Sequence, residues 1–117
     1  MSKIKQRRTA DQIHMILSDL SRRQLNDPRL AGLTITEVAI DRELQYADVY
    51  VHALTDESRQ EDVMLALEKA TGFLRRELAQ RLTLRTTPNL HFHWDPRLAQ
   101  AEEIDKILND LEIPPEE

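Results

Sequence analysis

Lys69, Gly72 and Arg76 recur at i, i+3 and i+7 of one apolar-periodic stretch, with Arg75 on the flank and Gln80 and Thr83 continuing the line. On a helix these positions share a face, and the chemistry they offer is phosphate capture, with cations set beside a position that has no side chain. Glycine inside a helix costs ~1 kcal/mol relative to alanine. Gly72 therefore predicts either a kink between two shorter helices or a close approach by another backbone. Amides freed at the start of a second helix, next to Lys69, Arg75 and Arg76, would hold phosphate. Arg81 and Arg85 extend this basic island, which is opposed by Glu77 alone. Arg81 projects near the apolar stripe, so covering the core edge with its stem competes with a binding role. A second island, Lys3, Lys5, Arg7 and Arg8, has no acid within it. The bland alternative for the central face is a solvated helix surface.

Other chemistries find less support. His91 and His93 point to one side of a strand, and His52 can share that sheet, but structural zinc sites need three or four ligands with an ordered second shell. Surface histidines are expected, with no metal. Glu102 and Glu103 sit on a solvated-looking helix where nothing separates their acidities. The sequence has no cysteine, which removes thiolate catalysis and disulfides, and its two glycines, Gly32 and Gly72, cannot form a Walker loop or a dinucleotide fingerprint. No catalytic residue and no cofactor is expected, and the chain reads as a binding protein rather than an enzyme.

The elements that position these residues follow from periodicity. The 117 residues, 40% hydrophobic, suit one domain. The net charge of −5 conceals the two basic islands and an acidic end from Leu98 onward. No apolar run approaches a membrane span, no leader follows the first basic residues, and the absence of cysteine fits the cytoplasm. Residues 1–8 are expected as a flexible basic arm, 9–113 as the folded core and 114–117 as a frayed acidic tail. Thr9 and Gln12 have capping-box spacing for a first helix carrying Ile13, Ile16, Leu17 and Leu20, which Asn26-Asp27-Pro28 stops. Leu33 to Ile40 reads as a strand whose apolar parity switches near Thr36 and Glu37, as a bulge requires. Asp41 to Gln45 turns the chain into a second strand, in which Ala47, Val49, Val51 and Ala53 alternate with polar residues, giving an antiparallel hairpin. Ser58 and Glu61 have capping-box spacing for the central helix, on which Val63, Leu67, Ala70, Leu74, Leu78 and Leu82 form the buried stripe. Thr86-Thr87-Pro88 ends it. A third strand carries Leu90, Phe92 and Trp94 on its core side, and a final acidic helix runs from Leu98 to Leu111. No internal repeat stands out. The result is an α+β layer in which the third strand joins the hairpin in a mixed sheet, with the helices on one face.

In this order the residues resemble the bacterial ribosome-binding factor A family, nearly end to end. The similarity is carried by Asp27-Pro28-Arg29, Ile35-Thr36-Glu37-Val38 and the run Leu44 to Val51. Its most specific parts are Ala70-Thr71-Gly72-Phe73-Leu74-Arg75-Arg76-Glu77-Leu78, Arg81 to Pro88 and Leu90-His91-Phe92. The resemblance implies a type II KH-like fold in which an Ala-x-Gly kink, here Ala70-Thr71-Gly72, replaces the Gly-x-x-Gly loop of ordinary KH modules. Backbone and shape contacts to RNA are then favoured over a sequence code. It further implies a monomeric, non-enzymatic factor that binds the immature 30S subunit and its 16S rRNA, assists maturation of the rRNA 5′ end, and matters for growth in the cold. The short acidic end after Leu111 departs from members with a longer polar tail. A protein-interaction module built on that acidic helix is the competing function, and steep salt dependence would separate RNA binding from it.

Overall fold

The computed structural model describes residues 3–23, 27–30, 32–53 and 59–97. The order is α1 (Lys3–Arg23), a 3-10 turn (Pro28–Leu30), β1 (Leu33–Ile40), β2 (Tyr46–Ala53), α2 (Gln60–Arg81) and β3 (Asn89–Trp94). The expected final helix and acidic tail fall outside the described residues.

The three strands form one sheet in the order β1-β2-β3, with β1 antiparallel and β3 parallel to the central β2. The parity switch in β1 is a bulge. Ile35 pairs with Val51 and Glu37 with Tyr50, leaving Thr36 as the extra residue. That insertion returns Val38 and Ile40 to the side already used by Leu33 and Ile35. In the turn, Asp41 Oδ1 accepts the amides of Gln45 at 2.6 Å and Tyr46 at 2.9 Å. Leu44 takes a left-handed φ of 59°, and burial of its side chain offsets that backbone cost.

Both helices cover one side of the sheet, α1 against β1 and α2 against β3. Between the layers lie Ile13, Leu17 and Leu20 of α1, Val49 and Val51 of β2, and Val63, Leu67, Leu74 and Leu78 of α2, all essentially removed from solvent. This is the α+β, KH-like layer with a mixed sheet.

Three local expectations change. Residues 3–8 belong to α1 rather than to a flexible arm. They contain no proline or glycine, and Gln6 Nε2 donates to the Ile40 carbonyl at 2.6 Å, tying the first turns to the end of β1. Thr9 is consequently a buried residue inside the helix, not its cap. At the start of α2 the cap position is Arg59, one residue later than the capping-box spacing predicts, and it makes no side-chain capping bond; Ser58 lies outside the described residues. Glu61 and Asp62 in the first turn complement the helix dipole instead. Finally, α2 continues without interruption through Gly72 as a helix of 22 residues rather than splitting into two. Burial of five of its residues, Leu74 and Leu78 among them, outweighs the ~1 kcal/mol that glycine costs.

Candidate nucleic-acid interface

The unbroken helix places Lys69, Gly72 and Arg76 on one solvent-exposed face. A Cβ at Gly72 would meet only Arg76 Nη1, at 3.8 Å. No other backbone approaches Gly72 among the described residues, and its φ is not left-handed. The glycine thus leaves a shallow open spot roofed by one guanidinium. With the helical ladder intact, its amides stay engaged within the helix, so attraction for phosphate here rests on side-chain cations rather than freed N–H groups.

Neighbouring positions divide sharply. Arg75 turns away from that face, donating from Nε to the Pro88 carbonyl at 3.2 Å and from Nη2 to the Thr87 carbonyl at 2.9 Å. It holds the α2–β3 connection in place. Thr71 donates its hydroxyl to the Leu67 carbonyl at 2.8 Å, a back-bond that uses its only proton. Ala70 is half-buried against the core. Arg81 pairs with Asp19 at 3.2 Å, joining α2 to α1, so it fastens the two helices where its stem was expected to cover the core edge.

The two basic islands, distant in sequence, meet at one place. Lys5 from α1 and Arg85 from the α2–β3 connection line a hollow of about 470 Å³, together with Thr83, Thr86, Glu43 and Gln45. Lys3, Arg7 and Arg8 are exposed on the opening turns of α1.

The histidines are dispersed by environment. His52 is buried, its ring 5.0 Å from that of Trp94, and its Nδ1 has no hydrogen-bond partner among the described residues. His93 sits 2.8 Å from Asp48 Oδ1 and stacks on Tyr50, whereas His91 leans toward Tyr46. No group of three His, Cys, Asp or Glu able to hold a metal occurs among the described residues.

Sequence reasoning missed a repeated word. Asp-Pro-Arg-Leu-Ala occurs at 27–31 and again at 95–99. In each copy the arginine folds back onto the aspartate, Arg29 on Asp27 and Arg97 on Asp95, with 2.7 Å between Nη2 and Oδ2 in both. The Arg29 hydrogen bonds lower the Asp27 pKa from 3.8 to about 2, with a further contribution from the charge of Lys69. The Arg97 side chain, followed by Thr36 and the Arg97 amide, holds the Asp95 carboxyl well below the usual carboxylate range against its burial. Tyr46, of which 51% remains exposed, also drew no attention, because alternation alone marks it only as the solvent side of a strand.

No helix among the described residues is long and apolar enough to cross a membrane. The fold is shared with several solved structures. A crystal structure of ribosome-binding factor A from Thermus thermophilus is 29% identical, with 76% of this chain and 93% of that one covered at a TM-score of 0.68. A Thermotoga maritima ribosome binding factor A candidate solved by NMR is 28% identical, with 80% and 89% covered at a TM-score of 0.69. A Thermus thermophilus ribosome binding factor A fitted into a map of a 30S complex is 31% identical, with 74% and 91% covered at a TM-score of 0.64. The sequence also matches the family described as ribosome-binding factor A over residues 5–108, from the first turn of α1 to beyond β3. With the match spanning most of the sequence and the structural likeness running through the same elements, the chain belongs to the ribosome-binding factor A family.

Proposed function

We propose that this chain is a non-enzymatic assembly factor that binds the immature 30S subunit through its 16S rRNA. It assists maturation of the rRNA 5′ end late in subunit assembly and supports growth in the cold, acting as a monomer in the cytoplasm. The observation that carries this reading is the exposed Lys69, Gly72 and Arg76 face on a helix whose opposite side is core. A relative described as part of a 30S complex supports the small subunit as the partner. Arg85 and Lys5 in their shared hollow extend the footprint, with Lys3, Arg7 and Arg8 beyond it. Arg75, Ala70, Thr71 and Arg81 support the face from behind, because their polar groups or surfaces are engaged within the fold.

Reversing Lys69 and Arg76 together to glutamate should weaken RNA binding at fixed salt while the unfolding midpoint stays within experimental scatter of the parent. Phosphate contacts from Lys69, Arg76 and Arg85 would give a log-log salt slope of about −2 on single-stranded RNA. A flat salt response, or a double variant that binds as the parent does, would remove the face from consideration. Gly72→Ala separates backbone from surface. In an unbroken helix where the added Cβ makes an ordinary contact with Arg76 Nη1 at 3.8 Å, alanine should stabilise by up to ~1 kcal/mol, while the methyl group weakens close RNA approach. A crosslinking map on immature subunits would identify the RNA segment contacted.

A further inference from the structure

The side of the sheet turned away from both helices carries a different chemistry. Tyr46 and His91 have ring centroids 5.9 Å apart, and Tyr50 and His93 stack at 5.1 Å with 29° between their planes. Asp48 lies between them, its Oδ1 2.8 Å from His93 Nε2, with 48% of its side chain still exposed. Beyond Tyr50 opens a hollow of about 330 Å³ walled by Tyr50, Trp94, Pro96 and Glu37. The Glu37 side chain is 50% exposed.

The outward strand positions Thr34, Glu37, Ala39, Tyr46, Asp48, Tyr50, His52, Asn89, His91 and His93 include two carboxylates and neither lysine nor arginine. Arg97, at the rim of the hollow, is already bound by Asp95 and Glu37 at 2.7 and 2.8 Å. Aromatic faces and half-exposed carboxylates attract cations. Base stacking on the same rings would require phosphates to be neutralised alongside, and these strand positions supply no permanent cation to do so.

We propose that this face docks an arginine- or lysine-rich segment of a partner protein, its cations lying on Tyr46 and Tyr50 and against Asp48. The complementarity is the reverse of that on α2, where cations await phosphate. The protein is thereby two-sided, and the sheet site stands independently of the RNA reading.

The test is an NMR titration of the full chain with an arginine-glycine repeat peptide, a serine-glycine repeat of equal length and a short single-stranded RNA. The arginine peptide should shift the ring signals of Tyr46 and Tyr50, and the serine peptide should leave them in place. Tyr46→Ser combined with Asp48→Asn should weaken the peptide about tenfold, the combined loss of one cation–π contact and one exposed ion pair, with RNA affinity unchanged. Ring signals that ignore the arginine peptide overturn the site even if the variant folds poorly. So does an unchanged peptide affinity in a folded variant, or movement of the rings by RNA in preference to peptide. Since Lys69 and Arg76 are intact throughout, failure here leaves the phosphate face untouched.

Discussion

The two Asp-Pro-Arg clamps share one sequence and one set of hydrogen bonds but differ in what surrounds them. In both, aspartate precedes a proline whose fixed φ starts a helical turn, so its carboxylate reaches the amide two residues on, at 3.0 Å for Arg29 and 2.9 Å for Arg97. The arginine then closes on the same carboxylate as a fork. Asp27 keeps 31% of its side chain exposed, whereas Asp95 keeps 3%. Asp95 also accepts from Thr36, the extra residue of the β1 bulge, while Arg97 reaches Glu37. Local sequence thus writes the clamp, and tertiary context decides whether it is a surface ornament or a fastener between β1 and the end of β3.

Removing each carboxylate should make the difference measurable. Asp95→Ala takes the acceptor from the Arg97 amide and from its guanidinium fork and leaves the Thr36 hydroxyl with the Tyr50 carbonyl alone, at 3.1 Å, and should cost about 1–3 kcal/mol in denaturant unfolding. A loss no greater than that of a surface substitution would show that the bulge does not depend on the clamp. Asp27→Ala, with its carboxylate in contact with water, should lower the melting temperature less than the Asp95 variant does. Equal losses would erase the distinction.

Acid titration gives the finest resolution. Both carboxylates have folded pKa values depressed below 3.8, so each stabilises above that pH and its contribution disappears as pH falls through the folded value. The stability gap between the parent and Asp27→Asn should therefore close between pH 3.8 and about 2. The gap for Asp95→Asn should survive to lower pH. The reverse order would mean that burial, not the arginine fork, governs Asp95.

Much of this was visible in the sequence where one period dominates. The bulge at Thr36 was legible because an inserted residue flips every later side chain, and the alternation of Ala47 to Ala53 marked the buried side of β2. Lys69, Gly72 and Arg76 were placed on one face by helical spacing alone. What escaped was decided by partners distant in sequence. Arg75 and Arg76 are adjacent and chemically identical, yet only the carbonyls of Thr87 and Pro88 tell them apart. The start of α1 was set by Gln6 reaching Ile40, a contact no local capping signal encodes. Gly72 carried a real propensity penalty, but the buried leucines on the far side of α2 outweighed it. The repeated pentapeptide was overlooked because it is too short to form a structural repeat and acts as a knot rather than as a unit.

The parallel placement of β3 beside β2 also orders events in time. The β1–β2 hairpin closes across the tight turn 41–45 and can form as soon as those strands are available, whereas β3 must be carried back across residues 54–88 before it can pair. On a chain emerging from its own synthesis, the hairpin and α1 would assemble first against a sheet edge still vacant. The last strand would then close both the core and the Asp95 fastener in a single late step. Substitutions in β3 should accordingly speed unfolding far more than they slow folding.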